Sequence, residues 1–234
     1  MVHSRTLDGR SLRFGHRGWL WKNAYINYDL ETDSLWHHQT GWAMAGPLRG
    51  KALARFPTVL TTWAAWRAEH PLTLVLPKPR NDPRPSDRDV YAERNAPLVF
   101  GLGVDLPGTF RLYRFADLAA AGGIVQETVD DIPLVIGADP EGRTAFAFDR
   151  RVDGAVVDFD LDATDDTAPL LRERGGSRAW SLRSGRLVGS KDTDARLRPL
   201  QSAHWETYAW ERQHPTGTRW MRDSARESVP ARGR

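Results

Sequence analysis

Four polar residues in the first third of the chain are candidates for catalytic chemistry: Asp29, His37, His38 and Gln39. Carboxylates and imidazoles can transfer protons or bind a metal ion. Neighbouring residues on a strand point to opposite faces, so His37 and His38 are not expected to bind one metal ion together. Either histidine, with Asp29 or Gln39, could act as a general acid–base or as a ligand. The alternative is that each histidine is an ordinary polar residue.

Tryptophan is the second residue type of interest, with ten in the chain. Trp36 and Trp66 have tryptophan counterparts 144 residues later, and large aromatic side chains fill small β-rich cores, so these are predicted to be structural. Four others have no tryptophan counterpart at this offset: Trp19, Trp21, Trp42 and Trp63. On one exposed face they could stack on sugar rings or flat ligands. The alternative is that they cover a loosely packed core.

A duplication underlies the 144-residue offset. Between residues 36 and 71, this offset aligns seven identical pairs, where roughly two would arise by chance. The second segment carries Ser181 and Leu182 where the first carries His37 and His38. The duplication therefore separates shared scaffold from residues that belong to one unit alone.

Several strands and one short helix are predicted to position the candidates of the first unit. Residues 11–14 and 24–28 have the character of strands, and an extended segment begins again at Trp36. Thr61 or Thr62 can cap a short helix, and Pro71 is expected to end it. The candidates are therefore expected on strands and the turns between them.

The second half contains comparable signals. Pro107-Gly108 suits a type II turn between strands at 98–104 and 110–113. A short helix is predicted from Phe115, since Gly122-Gly123 supplies a C-terminal stop. A second helix is predicted over about 202–214.

These patterns predict an α+β fold that is mainly β, built from two degenerate β-rich repeats that each carry a short helix. The first repeat is assigned to residues 1–76 and is expected to be incomplete at its N-terminus. Residues 77–97 are rich in proline and predict a linker or surface loop. The second repeat is assigned to 98–221, and the polar segment 222–234 predicts a disordered tail.

Carboxylates cluster between Asp158 and Asp166, a pattern that suggests a cation loop at first sight. The cluster lacks the glycine and the final glutamate of an EF-hand, and alternating aspartates on a strand indicate a solvated face. We therefore predict no metal site, and the sequence identifies no cofactor.

Composition narrows the function classes further. The chain has no cysteine, which excludes disulfides, thiolate ligands and cysteine nucleophiles within it. The net charge is only +3, and acidic residues are interleaved with the arginines, so nucleic-acid binding is not expected. No signal peptide and no transmembrane segment is recognisable, which predicts a cytoplasmic location for the chain as written.

Three segments resemble one protein family: SLWHHQTG (34–41), AMAGPLRGKAL (43–53) and TTWAAWRAEHPLTLVL (61–76). They are similar to the two-repeat bacterial and archaeal family named domain of unknown function 3179. The resemblance extends through 89–92, 100–130 and 145–154.

Members of this family typically carry a Cys-Pro-Leu-Cys motif just before the position of residue 5, and this chain has no such segment. Because many relatives resemble exported or lipid-anchored proteins, the resemblance implies an envelope location if Met1 is a late start. It would then also imply that a leader and part of the first repeat precede Met1. The family supplies no activity.

The sequence favours a non-catalytic binding or structural module that uses the aromatic-rich face of the first repeat, with an unidentified ligand or protein partner. The alternative is a metal-dependent or acid–base enzyme centred on Asp29, His37, His38 and Gln39. Convergence of these side chains on one cleft would favour the enzyme, whereas a binding module needs only a suitable surface.

Overall fold

The computed structural model describes residues 2–22, 24–56, 58, 63–77, 99–139, 144–164, 169–192 and 194–221. Twenty short strands lie within these residues. They are β1 (Val2–His3), β2 (Thr6–Leu7), β3 (Arg10–Ser11), β4 (Phe14–Trp21), β5 (Ala24–Asp29), β6 (Leu35–His37), β7 (Ala43–Ala45), β8 (Arg55–Phe56), β9 (Phe100–Leu106), β10 (Thr109–Arg114), β11 (Ile124–Val129), β12 (Ile132–Asp139), β13 (Thr144–Asp149), β14 (Arg151–Val152), β15 (Ala155–Val156), β16 (Phe159–Asp162), β17 (Leu170–Glu173), β18 (Ala179–Ser181), β19 (Ser202–Glu206) and β20 (Thr218–Arg219).

Three short helices accompany the strands in the described residues: α1 (Trp63–Glu69), α2 (Phe115–Ala120) and α3 (Thr207–Gln213). The prediction of a mainly β, α+β fold is therefore confirmed. None of these helices exceeds seven residues, whereas a helix needs about 20 apolar residues to cross a bilayer.

The first half is organised around the antiparallel sheet β4-β5-β6-β7. Strands β4 and β5 form a hairpin in this sheet, and Trp21 pairs opposite Ala24 at its tip. The core of this half is small and contains Leu12, Trp36, Ala43 and Leu53. Much of the aromatic surface of the hairpin therefore stays exposed.

Within the described part of the chain, the second half has more buried residues, in three clusters, and its sheets include β16-β17-β18, which contributes to the cluster around Trp180. The sheet β19-β9-β10-β20 and the antiparallel sheet β11-β12-β13 enclose a cluster that includes Leu102, Tyr113, Leu134 and Ile136. The predicted turn at Pro107-Gly108 joins β9 to β10, and Gly108 has the positive φ of 85° that a type II turn requires.

The two halves contain the same hydrogen bonds at positions 144 residues apart. Trp36 Nε1 donates to Asp29 Oδ2 at 2.8 Å, and Trp180 Nε1 donates to Glu173 Oε1 at 3.0 Å. Each indole thus anchors to a buried carboxylate seven residues earlier in the chain. The assignment of these tryptophans to the core is confirmed by their burial.

Trp66 was predicted to lie in a core, and this prediction is wrong because its side chain is 39% exposed. Its counterpart Trp210 is buried beside Trp205 and against β9. Strand β20 follows Trp210 and pairs in parallel with β10, whereas Leu74, at the position equivalent to Thr218, is almost fully exposed. No strand in the described part of the chain covers Trp66, so its ring keeps contact with solvent.

The helix predicted over 202–214 begins later than expected. Residues Ser202–Glu206 form β19, which pairs with β9, and α3 begins at Thr207. The pairing of this segment with β9 outweighs its local helical pattern. The linker predicted at 77–97, apart from residue 77, and the tail predicted at 222–234 lie outside the described residues, and the division into repeats stays a prediction.

Candidate functional site

A cavity of about 350 Å³ lies between the tip of the β4–β5 hairpin, the β6–β7 region and the end of α3. Its apolar walls come from Trp21, Trp42, Ala43 and Met44. Its polar lining comes from His37, Thr40, Arg49 and Gln213, and Gly50 completes it. Ligand pockets in proteins have volumes of roughly 300–1,000 Å³ and are mostly apolar with a few polar groups. This cavity has both properties.

His37 supplies the buried polar group of the cavity. It is the last residue of β6, and only 2% of its surface is exposed. The Thr40 backbone N–H donates to His37 Nδ1 at 3.3 Å, and the Thr40 hydroxyl lies 2.9 Å from the same nitrogen. Because Nδ1 accepts from the backbone, the proton of a neutral ring resides on Nε2. Nε2 is buried and has no hydrogen-bond partner among the described residues.

The surroundings of His37 keep its ring neutral. The pKa of His37 is lowered to about 4, mainly by burial and in smaller part by electrostatic interactions with His38, His214, Lys22 and His3. A neutral imidazole with its proton on Nε2 offers a single N–H donor. An unpaired buried donor is costly, by about 1–3 kcal/mol, and His37 Nε2 is such a donor in a residue that lines the cavity.

Two of the four tryptophans predicted to bind a ligand line the cavity. Trp21 and Trp42 are 44% and 54% exposed, so both present open indole surface. The Trp21 ring meets His37 edge to face, with centroids 5.6 Å apart and planes at 89°. Trp42 follows Gly41, whose positive φ of 70° turns the chain out of β6. Flat aromatic walls therefore flank the buried imidazole.

One residue that lines the cavity comes from the other half of the chain. Gln213, the last residue of α3, donates from Nε2 to the Lys22 carbonyl oxygen at 2.9 Å. Arg49 lies in the turn after β7 and is exposed. Within the described residues it forms no ion pair, so its guanidinium can reach a ligand.

Asp29 lies elsewhere, and its carboxylate is fully occupied. Besides the Trp36 indole, Oδ1 accepts from the Thr32 backbone N–H at 2.6 Å and from the Thr32 hydroxyl at 2.8 Å. Burial raises the pKa of Asp29, but the hydrogen bonds from Trp36 and Thr32 together outweigh it and hold the pKa below its ordinary value. Asp29 is thus an ionised anchor of the turn before β6.

The other candidates do not join His37 in the cavity. His38 Nδ1 lies 3.2 Å from the Tyr25 carbonyl oxygen, outside the cavity lining. The side-chain oxygen of Gln39 is buried without a described partner, but it does not line the cavity either. Trp19 and Trp63 are exposed at other places on the surface. The structure therefore brings together His37, Trp21 and Trp42 and separates the remaining five.

The carboxylates of β16 are engaged in ion pairs. Asp160 contacts Arg174 at 2.5 Å and Asp162 contacts Arg172 at 2.7 Å, both across the β16–β17 pair. The prediction that they form a solvated, charged face agrees with this arrangement. Within the described ranges, no three histidine or acidic side chains are grouped as a metal ion would require.

The second half has the same backbone at the place where the cavity lies in the first. Gly41 N–H donates to the His37 carbonyl at 2.8 Å, and Gly185 N–H donates to the Ser181 carbonyl at 2.8 Å. Both glycines have φ of 70°. Three cavity residues are nevertheless different at the equivalent positions: His37, Thr40 and Trp42 correspond to Ser181, Ser184 and Arg186. One loop geometry thus carries two different sets of side chains.

Comparison with known families assigns the chain. The family described as "Protein of unknown function (DUF3179)" matches residues 1–217. The chain belongs to this family. No curated protein and no solved structure gives a significant match. DUF3179 membership agrees with the resemblance seen in the sequence, and it adds no ligand or reaction.

Sequence reasoning missed three residues of the site in this DUF3179 member. Thr40 fixes the His37 tautomer, Arg49 provides a cation and Gln213 contributes to the lining. Thr40 could have been found, because a threonine three residues after a histidine in a turn can reach back to its ring. Nothing in the sequence joins Arg49 to Gln213, since 164 residues separate them and only the fold brings them together.

Proposed function

We propose that this chain is a non-catalytic binding module whose ligand occupies the cavity between Trp21 and Trp42. One observation carries the proposal: the buried Nε2–H of His37 lacks a partner among the described residues, in a cavity with aromatic walls. Buried polar groups are hydrogen-bonded in the great majority of cases, so an exception calls for an explanation. A ligand that accepts this hydrogen bond is the explanation that also accounts for the exposed indoles.

The state of the titratable groups favours binding over acid–base catalysis. Among the described residues that line the cavity, His37 and Arg49 are the titratable side chains. The lowered pKa of His37, caused first by burial, makes the ring a poor base near neutral pH. Asp29 is committed to Trp36 and Thr32, so its carboxylate has no free role as a partner of His37.

Internal duplication supports the same conclusion. We infer that the two halves are degenerate copies of one unit, because they share backbone hydrogen bonds at the 144-residue offset. The first copy carries His37 and Trp42 where the second carries Ser181 and Arg186. Side chains that differ on a common scaffold are candidates for a role specific to the first copy.

The second copy also provides the substitutions for a test. The variants His37→Ser and Trp42→Arg place in the first loop the residues that an equivalent backbone already accepts. Trp63→Ala is a matched control, because Trp63 is 50% exposed but does not line the cavity. A library of small planar compounds would be screened against all four proteins by saturation-transfer NMR.

We expect compounds that bind the wild type and the Trp63 variant but bind the His37 and Trp42 variants at least about tenfold more weakly, a loss of about 1.4 kcal/mol. Circular dichroism would verify that each variant is folded. If every hit binds the His37 and Trp42 variants as tightly as the wild type, or if no compound binds at all, the cavity is not a ligand site.

A further inference from the structure

We propose that the ligand of this cavity is a small carboxylate with a flat apolar body, an inference that depends on the binding function proposed above. It rests on three properties of the cavity: the hydrogen-bonding character of its polar groups, the sign of the charges around it, and the shape of its walls.

The polar residues that line the cavity carry hydrogen-bond donors. His37 offers Nε2–H, because the Thr40 backbone N–H occupies Nδ1. Arg49 can only donate, since a guanidinium has five N–H groups and no acceptor. The amide nitrogen of Gln213 is already used by the Lys22 carbonyl. A ligand that brings acceptors satisfies His37 and Arg49, and a carboxylate brings the most acceptors in the smallest volume.

Two cations lie at the cavity or near it, and no carboxylate opposes them among the described lining residues. Arg49 lines the cavity and Lys22 acts on His37, whereas burial keeps the neighbouring His214 neutral near pH 7. No aspartate or glutamate belongs to the described lining. An anion is attracted to these cations more strongly than a neutral ligand is. The sign of the potential therefore selects carboxylates over neutral acceptors such as amides.

Aromatic walls select the body of the ligand. Trp21 and Trp42 present open indole surface, and Ala43 and Met44 add apolar contact. Aromatic pairs attract each other beyond the effect of the area that they bury, which favours a ring over a flexible chain. The volume of about 350 Å³ is at the small end for ligand sites. A compact ring with one carboxylate meets these conditions.

Isothermal titration calorimetry with matched probes tests the ligand class. Indole-3-acetate and indole-3-acetamide have the same ring and nearly the same shape, and they differ in charge. Acetate alone controls for attraction of any anion. The proteins would be the wild type, Arg49→Gln and the matched control Arg5→Gln, which removes an exposed arginine that does not line the cavity.

We expect the wild type to bind indole-3-acetate roughly tenfold more tightly than the amide, because a hydrogen bond to an ionised acceptor is stronger than one to a neutral acceptor. The preference should shrink when sodium chloride is raised, since exposed charges are screened. This preference should disappear in the Arg49 variant and persist in the Arg5 control. Acetate should not bind measurably, because it lacks the ring.

Equal binding of the amide and the acid by the wild type overturns the carboxylate assignment and leaves the binding function standing. The same holds if neither indole binds while the planar library yields neutral ligands that depend on His37 and Trp42. Failure of every compound in both experiments removes the binding function itself. A preference for the acid that survives in the Arg49 variant contradicts the role given to that side chain.

Discussion

Replacement of Asp29 by asparagine tests how the scaffold of the site is held. The substitution keeps the shape of the side chain and removes its charge. The carboxylate accepts from Trp36 Nε1 and from both the backbone N–H and the hydroxyl of Thr32. An amide has one acceptor oxygen, so its NH₂ group must face either the indole N–H or the Thr32 donors, and one contact becomes repulsive.

The expected loss follows from these contacts. An unpaired buried Trp36 N–H costs about 1–3 kcal/mol, and the hydrogen bonds that the new amide still accepts lose their charge-assisted part, about 1 kcal/mol more. Thr32 is only partly buried, so water can satisfy its donors. We therefore expect a total loss of about 2–4 kcal/mol in the free energy of unfolding at pH 7.

The pH dependence separates this effect from others. The pKa of Asp29 in the folded state lies below its ordinary value of 3.8, because hydrogen bonds from Trp36 and Thr32 outweigh the effect of burial. A carboxylate with a lowered pKa stabilises the fold above pH 3.8, and this stability is lost as the pH falls through the folded pKa. The advantage of the wild type over Asp29→Asn should thus stay constant from pH 7 to about 5 and shrink below 3.8.

Histidines change the stability of both proteins equally over the same range. The pKa values of His37 and His214 are lowered from 6.5 to about 4, mainly by burial. A group with a lowered basic pKa takes up its proton more readily in the unfolded chain, so stability falls as the pH drops below 6.5. Only the difference between wild type and Asp29→Asn reports on Asp29.

Urea denaturation followed by far-UV circular dichroism at pH 7, 5 and 3.5 measures this difference. Asp8→Asn is the matched control, because Asp8 forms an exposed pair with Lys51, and such pairs contribute about 0–1 kcal/mol. A loss below about 0.5 kcal/mol for Asp29→Asn at pH 7, within the range of ordinary surface substitutions, would refute the reasoning. So would a loss that is the same at pH 7 and pH 3.5.

Three further predictions concern the scaffold, and urea denaturation measures each. Gly41→Ala should cost at least about 1–2 kcal/mol, because φ is 70° and the new methyl group would lie 2.5 Å from a packed imidazole ring; unchanged stability would contradict that packing. Trp210→Ala should cost about 3–5 kcal/mol and Trp66→Ala much less, because only the first indole is buried; equal losses would contradict this difference. Asp139→Ala should cost at least about 1 kcal/mol, because it removes the buried 2.6 Å ion pair with Arg183; unchanged stability would mean that this ion pair does not stabilise the fold.

The scaffold was predictable where the signal is local. The Pro107-Gly108 turn and the helix that begins at Phe115 follow from residues adjacent in sequence, and the structure has both. The burial of Trp36 and Trp180 followed from their repetition. Their carboxylate partners at positions 29 and 173 could have been found at the same 144-residue offset, because an aspartate stands opposite a glutamate there.

The site was predictable only in part because it is assembled from distant segments. Sequence reasoning selected His37, Trp21 and Trp42, since these residues belong to the first unit alone. It also grouped Asp29 with His37, although the side chain of Asp29 turns to Trp36 instead. Side-chain direction in a turn depends on hydrogen bonds that residue type does not reveal. The part played by Gln213 depends on the packing of one half against the other.

The central claim is that His37 presents a neutral Nε2–H to a ligand in the cavity. Long-range ¹H–¹⁵N NMR of the imidazole rings measures the tautomer of His37 directly, with His37→Ser to assign its signals. We predict the Nε2–H tautomer between about pH 5 and 8, and a shift of the Nε2 signal when indole-3-acetate is added. A proton on Nδ1, titration near the ordinary pKa of about 6.5, or an Nε2 signal that does not respond to any ligand that binds would contradict the account.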